Sequence, residues 1–248
     1  MKGARYVIPV LIAVVVVLVW AATHRGEPAG PAQQEQPQAV AAGPPEGEAG
    51  LSPVELDLPE PMFTGTPKPI NVQNVEKPRG KPRPPFLAPA GTVNLAAGKP
   101  VSSSDPYPVI GELELITDGD KEATFGTFVE LGPGRQWAQI DLEQRCTIYA
   151  VVVWHYHAEP RVYSDVIVQV GDDPDFAVAG GTTAFNNDHD NSSGMGVGED
   201  LGYVETFEGK LVDCGGAEGR YVRLYSSGNS ANEMNHYTEV EVYGQPPL

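Results

Sequence analysis

Short runs of alternating apolar residues, each bounded by Gly, Asp, Asn or Pro, dominate the chain from Val93 onward. Such runs, separated by turn-forming residues, are typical of an all-β sandwich or barrel. No helical period of useful length competes with this pattern. We therefore predict an all-β fold, with strands at 137–142, 147–154, 165–170, 221–225 and 238–243.

Two of these predicted strands have informative patterns. The segment 148–154, IYAVVVW, is apolar at nearly every position, which indicates a central strand covered on both faces. In the last strand, two valines, Val240 and Val242, alternate with Glu239, Glu241 and Tyr243. Because successive side chains of a strand point to opposite faces, we predict that the valines face the core and the other three face outward.

The N-terminus carries a targeting segment, residues 1–23. An apolar run, 7–22, follows Lys2 and Arg5, and as a helix it would be about 24 Å long at about 1.5 Å per residue. That length leaves two alternatives open, an uncleaved membrane anchor and a cleaved signal peptide. Either way the two basic residues stay inside. The rest is expected outside the cytoplasm, periplasmic or at the cell surface, or secreted if the signal is cleaved.

Residues 24–92 are rich in Pro, Gly, Ala, Glu and Gln, and 16 of the 24 prolines lie in residues 1–93. Such a segment buries too little apolar surface to offset chain entropy, and its prolines keep it extended. We predict a disordered Pro-rich linker at 24–92, a folded domain at 93–244 and a short tail at 245–248. For the stretch PVELDLPEPMF, 53–63, docking on the domain or on a partner is a second interpretation.

The net charge of −17 belongs entirely to the predicted domain, because residues 1–93 carry eight basic and eight acidic side chains. After residue 93, 25 Asp and Glu face eight Lys and Arg. Such a domain repels polyphosphate, which excludes nucleic acid as a partner and favours cations and neutral ligands. The two cysteines, Cys146 and Cys214, fit either a disulfide in an exported protein or two buried thiols.

Five motifs occur in a characteristic order, namely NLAAGKPVSSS (94–104), ITDGD (116–120), WAQIDL (137–142), GRYVRLY (219–225) and EVEVYG (239–244). Through them the segment 93–244 resembles discoidin, or coagulation factor F5/8 type C, domains, of the galactose-binding-like group that includes family 32 carbohydrate-binding modules. The resemblance implies an eight-stranded antiparallel jelly-roll sandwich with its ligand-binding loops at one end. It also implies a non-catalytic module that binds a glycan or glycoconjugate.

The resemblance further implies a structural calcium ion. In the family its ligands come from the Asp-Gly turn, from a Thr after it and from a Glu on the last strand, which correspond here to Asp118, Asp120, Thr124 and Glu239. Calcium prefers six to eight hard oxygens, and a turn supplies both carbonyls and carboxylates. The alternative is that Asp118 and Gly119 only form a β-turn.

Polar loops between the strands supply the candidate ligand-binding residues. These are His157, Glu159, Arg161, Asn187, Asp188, His189, Asp190, Asn232, Asn235 and His236. We expect Trp154 or Tyr156 to add an apolar face. In the loop 185–200, the alternating residues Asn186, Asp188, Asp190 and Ser192 leave three alternatives open: a second calcium site, recognition of sugar hydroxyls, or a solvated turn.

Two other function classes stay open beside the carbohydrate-binding module. One is a module that binds an envelope protein, in adhesion or assembly. The other is a cupin-like metalloenzyme, because His155, His157 and Glu159 alternate at a spacing that places side chains on one side of a strand. Pro160 weakens this second alternative, since it indicates that the strand is ending there.

Overall fold

A computed structural model describes residues 50–63, 70–176 and 181–247. All of these residues belong to one compact unit that spans Pro44–Leu248. The predicted targeting segment and residues 24–49 and 64–69 of the predicted linker lie outside the described residues. Within the described part of the chain, no helix is both long and apolar enough to cross a membrane.

The described residues form eleven β-strands and one short 3-10 helix at Leu113–Ile116, which confirms the predicted all-β class. The strands are β1 (Leu51–Pro53), β2 (Leu87–Pro89), β3 (Val93–Asn94), β4 (Val101–Ser103), β5 (Val129–Leu131), β6 (Arg135–Trp154), β7 (Ile167–Gly171), β8 (Thr182–Asn186), β9 (Lys210–Ser227), β10 (Asn235–Tyr237) and β11 (Glu239–Gln245). The main sheet has the order β3-β11-β6-β9-β7-β8, with β4 added beside β6. Two small antiparallel pairs, β1-β2 and β5-β10, complete the fold.

Two long strands, β6 and β9, organise the sandwich. They pair antiparallel along their whole length, but the register shifts between Asp141 and Cys146. At this bend both strands pass from one layer of the sandwich to the other, and Glu143 there has a positive φ of 66°. The predicted strands at 137–142 and 147–154 are therefore the two halves of one strand.

The two halves of β6 and β9 enclose one hydrophobic core. Ile140 and Leu224 come from the first layer, and Val151, Val153 and Val212 from the second. Such β-branched and aliphatic side chains fit a pleated surface, and complete burial of each contributes about 1.5–3 kcal/mol. Two alternatives were open for Cys146 and Cys214, a disulfide or two buried thiols. The structure shows two buried free thiols.

The outer face of the central strand is also covered, and here the structure differs from the predicted linker. Ala150, Val152, Trp154 and Tyr243 form a second apolar cluster, on which Val54, Leu56, Phe86 and Leu211 pack. We refer to residues 50–63 and 70–92 as the N-terminal arm, and to this cluster as the arm-covered face. The folded part thus begins well before Val93, because a strand that is apolar on both faces needs cover on both.

Polar contacts fix the arm at its second half. The guanidinium of Arg83 donates to the carbonyls of Gly209 and Glu208 at 2.8 and 2.9 Å, and Arg79 forms an ion pair with the Glu208 carboxylate. Earlier in the arm, the amide of Glu76 donates to the carbonyl of Gly202 at 2.8 Å. These bonds join the arm to the segment 202–209, and the Glu76 bond satisfies a backbone amide that lies outside any strand.

The prediction for the last strand is correct for one face and wrong for the other. Val240 and Val242 are in the core as expected, but Glu239, Glu241 and Tyr243 are buried as well. Their face is covered by Lys121, whose ammonium lies 2.9 Å from the Glu241 carboxylate, and by the arm. The hydroxyl of Tyr243 donates to Glu241 at 2.8 Å, so the polar atoms of these two side chains have partners.

Candidate functional site

The loops that carry the predicted ligand-binding residues gather at one end of the sandwich. Since β6 and β9 both bend halfway, their four ends and the start of β11 meet there: Arg135 pairs with Ser227, Val153 with Lys210, and Trp154 with Glu239. We refer to the connecting segments 104–110, 118–134, 155–166, 187–209 and 228–236 as the loop end. The opposite end, at the bend near Asp141, is the bend end.

The two histidines of the predicted metal pair point to different neighbours. His155 Nδ1 lies 2.6 Å from Glu205 Oε1, and its ring stacks on Tyr163 with centroids 4.3 Å apart. His157 Nε2 bonds the carbonyl of Lys121 at 2.8 Å. Because β6 ends at Trp154, the strand period that would align the histidines has stopped. The geometry does not favour the cupin-like site.

Five of the ten predicted ligand-binding residues are buried, namely His157, Asn187, Asp188, Asn235 and His236. Most of their polar atoms are already bonded inside the protein, although His157 Nδ1 has no partner. The amide of Asn235 donates to the carbonyls of Gly132 and Gly134, and Asp188 accepts the backbone N–H groups of Ser192 and Ser193. In this structure these residues hold the loops in shape, and their burial makes them supports for a ligand site more than contacts within it.

The other five predicted residues reach the surface. Glu159, Asp190 and Asn232 are exposed, and Arg161 and His189 are half-buried. Arg161 donates from Nη2 to Glu159 Oε2 at 3.2 Å, and 12% of its side chain is exposed. His189 Nδ1 bonds the carbonyl of Gly198 at 3.1 Å. Of the two aromatic candidates, Trp154 is entirely in the core and Tyr156 is half-exposed.

Around Tyr156 the structure assembles a patch that the sequence indicated only in part. We define the Tyr156 patch as Phe128, Glu130, Tyr156, Arg161 and His236. The Phe128 ring meets Tyr156 edge to face at 5.1 Å, and the Arg161 guanidinium lies 4.5 Å from the Tyr156 centroid. An aromatic face bordered by polar groups is the usual form of a binding site for a partly apolar, hydroxylated ligand.

Within this patch, His236 is a neutral hydrogen-bond bridge. Burial, followed by the charges of Arg161 and His155, lowers the pKa of His236 to about 3. A neutral ring donates from one nitrogen and accepts at the other. His236 Nε2 lies 2.9 Å from Glu130 Oε2, and Nδ1 lies 2.9 Å from the Tyr163 hydroxyl. Donation to the carboxylate and acceptance from the hydroxyl satisfy all three groups.

Two exposed aromatic residues at the loop end escaped the sequence reasoning. Phe125 is 88% exposed at a turn in which the Thr127 amide donates to the Thr124 carbonyl, and Tyr107 is 86% exposed. Large apolar side chains at loop tips are candidates for contact with a ligand or partner. The sequence signal for exposure of Phe125 was its position between Thr124 and Gly126. An aromatic residue in a strand-rich chain, however, is equally compatible with a place in the hydrophobic core.

The predicted calcium ligands are only partly brought together. Glu239 is completely buried; its Oε2 accepts the Gly119 amide at 3.0 Å, whereas Oε1 has no partner. Burial raises the pKa of Glu239 to about 8, against the opposing effect of the Gly119 bond. Asp118 and Asp120 are exposed and accept backbone N–H groups two residues ahead, and Thr124 lies beside Thr127. The unpartnered buried oxygen of Glu239 fits a cation.

A different group of carboxylates lies closer together. Among the described residues, one set of three His, Cys, Asp or Glu side chains has ligand atoms all within 4.8 Å of one another, namely Asp165, Asp188 and Asp190. Asp165 was not predicted, and the hydroxyl of Ser192 donates to it at 3.1 Å. For the loop 185–200, the three alternatives of a second calcium site, recognition of sugar hydroxyls and a solvated turn stay predictions.

Comparison with known proteins finds similarity in solved structures alone. No family model matches the chain, and no curated protein matches it. Three similar structures are a truncated AlyQ with CBM32 and alginate lyase domains (20% identity, 60% of this chain, 32% of that chain, TM-score 0.43), a fucolectin from striped bass, Morone saxatilis (16%, 63%, 50%, 0.44), and the lectin domain of lectinolysin complexed with Lewis B antigen (17%, 62%, 97%, 0.43).

Two of these neighbours are named as lectins and the third contains a CBM32 domain. This chain spans about a third of the AlyQ structure and half of the fucolectin. At these identities and TM-scores, what the neighbours bind stays a property of the neighbours. The function of this chain has to be argued from its own residues.

Proposed function

We propose that this chain is a non-catalytic carbohydrate-binding module whose ligand site is the Tyr156 patch at the loop end. The observation that carries the proposal is the half-buried side chain of Tyr156, held edge to face by Phe128 and covered on one side by the Arg161 guanidinium. A sugar ring combines an apolar C–H face with hydroxyl groups, so it needs an aromatic surface with donors and acceptors beside it.

The polar border of the patch supplies both kinds of hydrogen-bonding group. Glu130 and Glu159 offer carboxylate oxygens as acceptors, and Arg161 offers guanidinium N–H groups as donors. Glu159 is 64% exposed and Glu130 16% exposed at their side chains. Phe125 and Tyr107 are exposed on other loops of the same end, and we expect them to contact a ligand longer than one sugar.

A structural calcium ion near Glu239 is part of this proposal. Calcium would supply the positive charge that the buried, unpartnered Oε1 of Glu239 lacks, and Asp118, Asp120 and Thr124 are the further residues that would hold it. We also propose that the module lies outside the cytoplasm, tethered or exported through residues 1–23. The apolar run after Lys2 and Arg5 supports this placement.

A glycan array with the whole chain tests the function. Binding to one class of glycan, lost in Tyr156→Ala but kept in the matched bend-end variant Tyr149→Ala, is the expected result. Binding that persists at full strength in Tyr156→Ala would place the site elsewhere. Absence of binding to any glycan would overturn the carbohydrate function.

The calcium part has a separate test. An ion that binds only the native state stabilises that state. A chelator is therefore expected to lower the melting temperature of the wild type. In Glu239→Gln the chelator is expected to have no effect, because the charged ligand is gone. An unchanged melting temperature of the wild type after chelation would count against the calcium site and leave the glycan site untouched.

A second candidate function, a protein-binding envelope module, is favoured by one observation. Phe125 and Tyr107 are 88% and 86% exposed, the two largest exposures among the large hydrophobic side chains of the described residues. Recovery of one envelope protein from an extract by the wild type, but not by Phe125→Ala, together with an empty glycan array, would favour this alternative.

A further inference from the structure

The arm and the loop end meet at segment 202–209. This segment lies outside the named strands, and its Gly202 forms a bridge with Val75 of the arm. The Gly202 amide donates to the carbonyl of Asn74, and the Gly202 carbonyl accepts the amide of Glu76, both at 2.8 Å. Because the segment is not part of a sheet, its backbone position depends on contacts of this kind.

Two arginines of the arm hold the other end of the segment. The Arg83 guanidinium donates to the carbonyls of Glu208 and Gly209, and its amide donates to Glu208 Oε1 at 3.0 Å. Arg79 forms an ion pair with the same carboxylate, whose side chain is only 10% exposed. Hydrogen bonds that involve a charged group are stronger than neutral ones, and shielding from water strengthens them further. The arm therefore fixes segment 202–209 at both of its ends.

The middle of the segment contacts residues behind the Tyr156 patch. The Glu205 amide donates to the carbonyl of Arg161 at 2.8 Å. The Glu205 carboxylate lies 2.6 Å from His155 Nδ1, and both side chains are at most 1% exposed. Arg161 in turn covers the ring of Tyr156. The segment thus holds the backbone from which Arg161 reaches the patch.

A second series of contacts leads from the segment to the patch through His155. The His155 ring stacks on Tyr163 with centroids 4.3 Å apart. The Tyr163 hydroxyl bonds His236 Nδ1, and His236 Nε2 bonds Glu130, both at 2.9 Å. Both His236 and Glu130 belong to the patch. Aromatic and polar groups on both sides of the ring of Tyr156 are therefore supported from Glu205.

We propose that the arm positions the Tyr156 patch for ligand binding, and that Arg83 is a positioning residue of the site. The docked arm holds segment 202–209, and the segment holds Arg161 and His155. The proposal rests on the carbohydrate function and adds control of that site by a part of the chain outside its loops. Since binding and positioning are linked, a ligand on the patch also stabilises the docked arm.

Hydrogen–deuterium exchange of the whole chain tests the positioning without any ligand. In Arg83→Ala, the amides of 155–163 are expected to exchange at least about threefold faster than in the wild type, because local opening becomes less costly. The amides of 137–142, in the sheet, should keep their rate. Arg83→Lys retains a charged donor and should give an intermediate rate. Unchanged exchange at 155–163 in both variants would overturn the proposal.

Arg220→Ala is the matched control at the bend end. Arg220 donates two hydrogen bonds to Asp141, at 2.7 and 2.8 Å, so this variant also removes a guanidinium with two bonds. Exchange at 155–163 should stay at the wild-type rate. Acceleration as large as in Arg83→Ala would mean that the loss of any such arginine loosens the loop end, and would contradict a specific role of the arm.

Titration calorimetry with the strongest glycan of the array tests the consequence for binding. Arg83→Ala is expected to bind that glycan at least about threefold more weakly, and Arg220→Ala as tightly as the wild type. In the wild type, the same glycan should slow exchange at 74–83 of the arm. Equal affinity of Arg83→Ala and the wild type would overturn the proposal and leave the carbohydrate function. An empty array would overturn the carbohydrate function, and the exchange rates would still decide whether the arm positions the patch.

Discussion

The arm-covered face and the loop end use two aromatic residues, at the end of β6 and just after it, in opposite ways. On the arm-covered face, Trp154 is fully buried, its indole N–H donates to the carbonyl of Phe207 at 2.9 Å, and the arm closes over it. Two residues later, at the loop end, Tyr156 is half-exposed. The difference lies in whether the chain supplies its own cover, so aromatic residues stabilise the fold in one region and stay available for a ligand in the other.

The largest expected effect is on the arm-covered face. Trp154→Ala should lower the free energy of unfolding by about 3–5 kcal/mol, because it removes a buried aromatic side chain and leaves a cavity under the arm. Urea denaturation monitored by circular dichroism measures the change. A loss below about 1 kcal/mol would mean that the arm does not seal this face.

A smaller effect is expected at Gly209, which packs directly on this tryptophan. Its φ is +62°, and a Cβ there would lie 2.7 Å from an indole carbon of Trp154. Gly215 is a matched control, with a φ of +58° and no atom within 4 Å of a Cβ. Left-handed backbone costs about 1–2 kcal/mol in both alanine variants.

The clash should add to that cost in Gly209→Ala alone. We expect Gly209→Ala to be less stable than Gly215→Ala by about 1–3 kcal/mol, the usual cost of overpacking. Thermal and urea denaturation of the pair give the difference. Equal stability of the two variants would show that Trp154 moves freely, against the tight packing of the arm-covered face.

The sequence predicted the parts of the fold that follow from local pattern. Alternating runs and turn residues predicted the strand class, β6, β7, β11 and the second part of β9, because the side-chain period of a strand is local. The arm was predicted as a linker, and docking of 53–63 on the domain was only its second interpretation. Its prolines and charges have the composition of a linker, and only the apolar outer face of 148–154 required a cover, whose source along the chain no local pattern identifies.

At the loop end the expected change is a dependence on pH. The folded-state pKa of His236, about 3, lies below its ordinary value of 6.5 because of burial and the nearby charges of Arg161 and His155. Below pH 6.5 the unfolded chain binds a proton that the folded chain does not take up. The contribution of His236 to stability is therefore complete above pH 6.5. As the pH drops towards 3, the free energy of unfolding falls by at most about 1.4 kcal/mol per pH unit from this residue.

His236→Gln separates this contribution from the titration of the carboxylates. Glutamine can still donate to Glu130 but does not titrate, so its free energy of unfolding should fall less steeply between pH 6.5 and 4 than that of the wild type. Denaturation at a series of pH values gives both slopes. Equal slopes would show that His236 is not held neutral by its surroundings.

The candidate site was predictable in position but not in detail. The loops around 157–161, 187–190 and 232–236 do meet at one end, as the resemblance implied. Which side chains face outward was not predictable, since it depends on hydrogen bonds between distant segments. Asn235, for instance, is buried because it bonds the carbonyls of Gly132 and Gly134, about a hundred residues earlier.

The smallest effect on stability is expected where exposure is greatest. Phe125→Ala and Tyr107→Ala should change the free energy of unfolding by less than about 0.5 kcal/mol, because surface substitutions remove few contacts. If the loop end is the ligand site, the same variants should weaken binding of a glycan longer than one sugar. Denaturation and calorimetry on the same samples separate the two effects. A large loss of stability in Phe125→Ala would mean that this aromatic residue packs on the protein, and the contrast with Trp154 would disappear.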